Sequence, residues 1–291
     1  MAKSFSLREE APGSAGGGNT TPRLVLVTGA AGRIGSYFAE HAQNKYALRL
    51  MVRPTDEGID KIRPFGHVVE GDLGDLATLK RHCAGVDTIV HMAANPSPSA
   101  TWAELLEANI VGTYHVFAAA KAAGCRRVIV ASSIHAVSGH PADAQVKEDD
   151  PVNPGDLYGV SKCFGEALAR YMAEQEGVSA IAIRIGGFSS VENARKEHSY
   201  RMMDAFVSDR DLSQLIHRCI DDERLKFAIF HGLSGNRFQR MDISLARELV
   251  GYAPQDDCTR ENPRLRDLRL SETVSSHNVG DGYPSGLRED V

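Results

Sequence analysis

The sequence predicts an α/β fold with a doubly wound parallel sheet, and three observations predict it. Short β-branched runs recur along the first two-thirds of the 291-residue chain, each followed by a stretch of helical composition. Most of those runs are largely apolar rather than alternating, as strands covered on both faces are. The first of them, Leu24 to Val27, stops at Gly29, Gly32 and Gly35, which open a helical stretch. Strand–helix alternation of this kind closes through right-handed crossovers into a single sheet.

Each element follows in order. In Thr28-Gly29-Ala30-Ala31-Gly32-Arg33-Ile34-Gly35, Gly29 permits the turn, Gly32 lets the backbone approach a pyrophosphate, and Gly35 lets the helix lie near the strand. The phosphates would sit on the free N–H groups and positive end of that helix, beside Arg33 and Ile34. A glycine-rich turn is often only a turn. Here a strand precedes it and a helix follows, so it reads as the dinucleotide site of a Rossmann-type unit. Ala47 to Val52 is the second strand, followed by Arg53, and His67 to Glu70 the third, followed by Gly71-Asp72-Leu73. A helix spans about Asp75 to Cys83, and Val86 to Met92 is the fourth strand, leading to Ala93 and Ala94. Trp102 to Ala123 is helical and stops at Gly124. Arg127 to Ala131 is the fifth strand and runs into Ser132-Ser133; Gly155 to Glu176 is a long helix; Val178 to Ile185 is the sixth strand. Ligands bind beyond the carboxyl ends of such strands, where Gly29, Arg53, Asp72, Ala93, Ser133 and Gly186 fall.

Beyond Gly186 the pattern loosens to a helix at Arg210 to Asp222, a strand at Phe227 to Phe230 and a helix at Ile243 to Val250. Only ~70 residues there look structured, below the size of a usual independent domain. Residues 187–257 are therefore expected to form a small substrate lobe packed on a dinucleotide-binding domain of residues 23–186. Residues 1–22 are polar, with Gly13-Ser14-Ala15-Gly16-Gly17-Gly18, and read as a flexible tail. Residues 258–291 lack apolar periodicity and read as disordered, with at most a short docked piece. A net charge of −5 gives no reason to expect nucleic acid or a membrane surface as partner, and no stretch approaches a membrane span. Five scattered cysteines without a CxxC pair fit reduced thiols in a cytoplasm better than a disulfide framework or a metal site.

Tyr158 and Lys162, at i and i+4, share one helical face. Free tyrosine has a pKa near ~10, so a competent base at neutral pH needs a shift of roughly 3 units, about 4 kcal/mol. A cation at ~4 Å with an effective dielectric of ~20 supplies on the order of 4 kcal/mol. Lys162, helped by a cofactor's positive nicotinamide ring, is therefore sufficient in magnitude, although such pairs also recur by chance on helix surfaces. Ser133, at the ligand edge of the sheet, adds a hydroxyl able to hold the reacting oxygen against Tyr158.

The glycine turn at 28–35, Gly71-Asp72-Leu73, His91-x-Ala93-Ala94, Asn109-x-x-Gly112-Thr113, Ser132-Ser133 and Tyr158-x-x-x-Lys162 occur in this order. Together they resemble the extended short-chain dehydrogenase/reductase family, the NAD-dependent epimerase/dehydratase group, over about residues 24–257. Ala131 to His135, Leu157 to Glu166 and Val207 to Asp211 are similar to uronate dehydrogenases. Asn95-Pro96-x-Pro98, Trp102 and Gly251 to Asp256 resemble archaeal glucose-6-phosphate dehydrogenases of the same branch. The resemblance implies oxidation of a hydroxyl, the anomeric one, of a sugar, sugar acid or sugar phosphate, with Tyr158 taking the proton. It implies that Ser133, Tyr158 and Lys162 are catalytic, that Asp72 and Leu73 meet the adenine, and that Ala93, Ala94, Asn109 and Gly186 line the cofactor cleft. Lys162 would also hold the nicotinamide ribose, Gly187 would border the substrate, and the two long helices would pair in a homo-oligomer.

Two positions depart from the relatives. Ile134 stands where they carry an Asn that bonds a sugar hydroxyl, while His135 remains, either as a substrate contact or as a structural histidine at the strand end. Arg201 falls where uronate dehydrogenases hold the substrate carboxylate, a role suited to a bidentate guanidinium. The preceding loop is longer than theirs, so its register stays open, and Arg195, Lys196 and His198 form either a phosphate site or a solvated charged loop. The second strand ends at Val52-Arg53, without the acid that usually meets the ribose of NAD. With no carboxylate to repel a 2′-phosphate and Arg33 and Arg53 nearby, NADP is favoured over NAD. The same fold admits two rivals: a nucleotide-sugar epimerase or dehydratase, for which the lobe is small, and a non-catalytic redox sensor, which has no need of the Tyr–Lys pair.

Overall fold

Alternate residues along each strand decide which helices cover which face. In strand β2 (Leu24–Thr28), Val25 and Val27 are fully buried in one apolar layer and Leu26 in the other. The computed structural model, which describes residues 3–8 and 21–266, repeats this alternation across the sheet. Helices Arg33–Ala42 and Asp209–Asp221 fill the first layer through Phe38, Leu212 and Leu215. Helices Leu76–Cys83, Gly112–Ala123 and Leu157–Glu174 fill the second through Leu79, Phe117 and Met172.

The other strands are β1 (Phe5–Leu7), β3 (Ala47–Val52), β4 (His67–Glu70), β5 (Thr88–His91), β6 (Arg127–Ser133), β7 (Ser179–Ile185), β8 (Gly187–Ser189), β9 (Phe206–Ser208) and β10 (Leu225–Gly232). Eight of them form one sheet in the order β1-β10-β7-β6-β5-β2-β3-β4, and β8 pairs with β9 in a small second sheet. All pairs are parallel except β1 with β10, so the sheet is doubly wound as the sequence predicts. The strand order reverses between β2 and β5, which makes a crevice beyond their carboxyl ends.

The glycine turn fits that crevice. Gly29 has φ +67°, and a Cβ there would lie 2.7 Å from the Ala93 backbone nitrogen in the turn after β5. A Cβ on Gly35 would overlap the Gly29 carbonyl oxygen. The first helix can therefore lie hard against the turn only because residue 35 has no side chain.

Three expectations need correction. Residues 5–7, read as part of a flexible tail, form an edge strand whose register places Phe5 opposite Ala228, and the Ser6 hydroxyl donates to Glu174. Three residues are too few to show alternation, and the partner strand lies at the far end of the chain. The rest of that tail, residues 1–2 and 9–20, lies outside the described residues. The segment 187–257 is not merely laid on the sheet: it contributes β10, which pairs with β7 at Ala228↔Ile181. Buried Arg127 at the start of β6 ties its helix down, donating to the carbonyls of Cys219 at 2.5 Å and Leu225 at 2.7 Å. Residues 258–266 are helical turns rather than disordered, with Cys258 and Leu265 buried beside Ala194 and Phe206; residues 267–291 lie outside the described residues.

Within the helical run from Trp102 to Ala123, Leu106–Val111 widens into a π-helical turn. Such turns often mark functional sites, and this one carries Asn109.

Two glycines should respond in opposite directions to a methyl group. Gly35→Ala is expected to lower stability by about 1–3 kcal/mol through overpacking. Gly165→Ala, whose Cβ would meet nothing closer than Thr113 Cγ2 at 4.0 Å, should raise it by roughly 0.5–1 kcal/mol. Urea-unfolding midpoints of the two variants check both signs.

Candidate active site

The last three residues of β6 hold three successive turns of helix Leu157–Glu174. The Ser133 hydroxyl lies close enough to the Tyr158 phenol to favour its ionised form. The Lys162 Nζ donates to the Ala131 carbonyl at 2.9 Å. The Ser132 hydroxyl donates to Glu166 Oε1 at 2.6 Å. Asp156 starts the helix by accepting the Gly159 N–H at 2.7 Å, and a Cβ on Gly159 would overlap the His135 carbonyl oxygen. The helix N-terminus thus rests directly on the turn after β6, and Ser133, Tyr158 and Lys162 come together, all buried.

Burial dominates their electrostatics. It raises the Tyr158 phenol above its ordinary value of 10, with the nearby Ser133 hydroxyl pulling it back and Asp156 pushing it further up. Burial also pushes the Lys162 ammonium down to about 8. Lys162 by itself therefore does not lower the Tyr158 phenol. The ammonium lies 5.4 Å from the ring centre and is turned toward the Ala131 carbonyl, so the loss of water by each group outweighs their mutual effect. His135 stands edge-on to the Tyr158 ring, centroids 5.4 Å apart, with Nδ1 held by Asp156 at 2.6 Å.

Around the crevice, Gly32 has no side chain with which to cap the helix that follows it, which leaves N–H groups of the first turn for a ligand. Arg33 reaches across to donate to the Phe188 carbonyl at 2.8 Å, tying the turn to β8, while Ile34 packs against the core. Asp72 accepts the Gly74 N–H at 2.7 Å, and Leu73 packs against Gly112, where a Cβ would lie 2.8 Å from its own. Ala93 underlies Gly29, and Ala94 is half-buried beside it. Asn109 is turned inward: it donates to the Asn95 carbonyl and the Ser161 hydroxyl, both at 3.0 Å, and accepts the Asn95 N–H at 2.8 Å. It fastens the Ala93–Asn95 turn to the Tyr158 helix rather than presenting its amide to a ligand. Gly186 has no room for a Cβ beside the Ala205 carbonyl, and Gly187 lies next to Met202.

Two expectations fare differently. The premise that no carboxylate stands at the end of β3 fails: Asp56 accepts the Arg53 backbone N–H at 2.9 Å and its guanidinium at 2.8 and 3.0 Å. Arg201 is exposed, and among the described residues its interactions are with Tyr200. Of the loop cations, Arg195 pairs with Glu261 at 2.8 Å and Lys196 bonds Asn193 at 2.6 Å. Sequence reasoning missed Asp56, Asn95, Glu166 and Arg184. A single arginine inside the apolar run Ser179–Ile185 was a signal for the last, since a charge there needs a buried partner.

Residues 25–225 match the NAD dependent epimerase/dehydratase family. The chain is 32% identical over 247 residues to the NAD-dependent glucose-6-phosphate dehydrogenase of Haloferax volcanii, covering 80% of this chain and 93% of that one. It is 34% identical over 239 residues to the uronate dehydrogenase of Pseudomonas putida, covering 81% and 86%. The crystal structure of uronate dehydrogenase from Agrobacterium tumefaciens superposes with a TM-score of 0.73 at 31% identity, covering 88% of this chain and 91% of that one. The glycine turn, the Ser133–Tyr158–Lys162 group and these matches agree, and the chain belongs to the NAD dependent epimerase/dehydratase family.

Proposed function

We propose that this chain is a nicotinamide-dependent dehydrogenase that oxidises the anomeric hydroxyl of a sugar, sugar acid or sugar phosphate. The observation that carries the reading is the burial together of Ser133, Tyr158 and Lys162, the Lys162 ammonium 5.4 Å from the Tyr158 ring centre. The crevice fits a dinucleotide, since Gly29 and Gly35 sit where a Cβ would collide with the turn and the adjacent helix is uncapped. Gly29, Gly32, Arg33, Ile34 and Gly35 would hold the pyrophosphate, and Asp72 and Leu73 the adenine. Ala93, Ala94 and Gly186 would line the cleft, and Lys162 would take the nicotinamide ribose. The bound cofactor supplies the hydride acceptor.

Ser133 and Tyr158 hold the reacting hydroxyl between them, and Tyr158 Oη takes its proton as C1 gives up hydride. The Ser133 hydroxyl stabilises the phenolate form, the direction in which it shifts Tyr158. His135, its Nδ1 anchored on Asp156, offers Nε2 to a second sugar hydroxyl, and Gly187 borders the same space. Ile134 replaces a polar contact with an apolar one.

The relative named for glucose-6-phosphate is NAD-dependent, and the Asp56 carboxylate beside Arg53 supports NAD in preference to NADP here. A carboxylate accepts ribose hydroxyls and repels a 2′-phosphate, and it also neutralises the arginine that would otherwise bind that phosphate. Exposed Leu106, Val111 and Tyr114 on one long helix and Leu157, Val160 and Tyr171 on the other support pairing of these helices in a homo-oligomer. All five cysteines are unpaired, which supports a cytoplasmic setting.

Tyr158→Phe is expected to lower kcat by about a hundredfold or more while leaving the Kd for NAD nearly unchanged. Appearance of reduced nicotinamide across aldoses, uronates and sugar phosphates is the assay, and isomerisation of a nucleotide sugar without net reduction would contradict the reading. Asp56→Ala should raise kcat/KM for NADP by about tenfold or more and lower it for NAD. A wild-type protein that already prefers NADP would refute the role of Asp56.

A further inference from the structure

Beyond the Tyr158–Lys162 pair, the same helix carries a buried carboxylate. Glu166 follows Lys162 by four positions, as Lys162 follows Tyr158, so all three share one face. Its carboxylate grips Arg184, the last residue but one of β7, through two parallel bonds of 2.9 Å, Nε to Oε1 and Nη2 to Oε2. The two side chains are only 4% and 1% exposed. Oε1 also accepts the hydroxyl of Ser132, the neighbour of Ser133 on β6. On its other side, Arg184 Nη1 lies 3.4 Å from His231 Nε2, and His231 Nδ1 donates to the Asp242 carbonyl at 2.7 Å. The network therefore runs from the helix through β6 and β7 to β10.

Stability alone does not call for this arrangement, because an apolar pair of similar volume often holds a core as well as a buried ion pair does. Two parallel N–H···O bonds add direction: they fix both the rotation and the rise of the helix against the strand. Any slip at Glu166 is carried along the rigid helix to Lys162 and Tyr158, while the Ser132 bond sets where β6 presents Ser133. We propose that Glu166 and Arg184 are positioning residues that set the spacing of Ser133 and Tyr158, with Ser132 as the link to the reacting hydroxyl. This rests on the dehydrogenase reading of the site.

The test uses Glu166→Met/Arg184→Met, which removes both charges and keeps the volume, and Ser132→Ala, which removes only the link. Both are expected to unfold cooperatively and to bind NAD with a Kd within about twofold of wild type. The kcat for sugar oxidation should fall about tenfold or more in the double variant and about threefold in Ser132→Ala, with KM for the sugar within about twofold. The Tyr158 phenol, followed by phenolate absorbance against the matching Tyr158→Phe background, should titrate at higher pH in both. A merely structural role would lower the unfolding midpoint and leave kcat and the phenol titration where they are, and that result overturns the proposal. If the double variant does not fold, Ser132→Ala decides on the same two readouts. If wild type reduces nicotinamide with none of the sugars, the dehydrogenase reading fails, and the phenol titration alone decides this one: raised supports it, unchanged refutes it.

Discussion

The register of one helix on one strand end governs the rest of the site. Helix Leu157–Glu174 meets β6 through Ser133 to Tyr158, Ala131 to Lys162 and Ser132 to Glu166, so three consecutive strand residues are matched to three helical turns. A strand advances ~3.3 Å per residue and a helical turn ~5.4 Å. The two repeats do not coincide, so the match holds only where side chains of different reach take up the difference: a short hydroxyl at Ser133, a backbone carbonyl at Ala131 and a carboxylate meeting Ser132. Asn109 fastens the same helix to the turn after β5, through Ser161 and Asn95, and so ties it to the glycine crevice.

Desolvation is the second constraint. A buried phenol resists ionisation and a buried ammonium resists staying charged, and in this site both effects exceed the attraction between the two groups. Proximity of Lys162 is therefore not enough to make Tyr158 a base. Ser133 opposes the burial of Tyr158 directly, which makes the serine hydroxyl a tuning group as well as a substrate holder. Asp156 works in the opposite sense on Tyr158 while it caps the helix and anchors His135.

Much of the fold was legible because its strands are buried on both faces. Ala47–Val52 and His67–Glu70 appear with the bounds their composition suggests, and the glycine turn sits where the motif puts it. Elements held by partners distant in the chain were not legible. The three residues of β1 carry no periodic signal of their own, and the π-helical turn at Leu106–Val111 has ordinary helical composition. Ser133, Tyr158 and Lys162 were found by spacing, since helical periodicity fixes which side chains share a face. Asp56 was missed because the acid was sought at the last residue of the strand, whereas the chain folds back over Pro54 and returns a carboxylate to Arg53. Arg201 lies in a loop whose register the sequence left open, and the structure leaves it exposed beside Tyr200.

The most direct measurement is a crystal structure of this protein with NAD and an unreactive sugar-acid analogue bound. The account requires the nicotinamide ring in the crevice between the glycine turn and β6, with the analogue's C1 oxygen within hydrogen-bond reach of both Ser133 Oγ and Tyr158 Oη. A nicotinamide ring lying elsewhere, or an analogue oxygen bonded to neither hydroxyl, would contradict it.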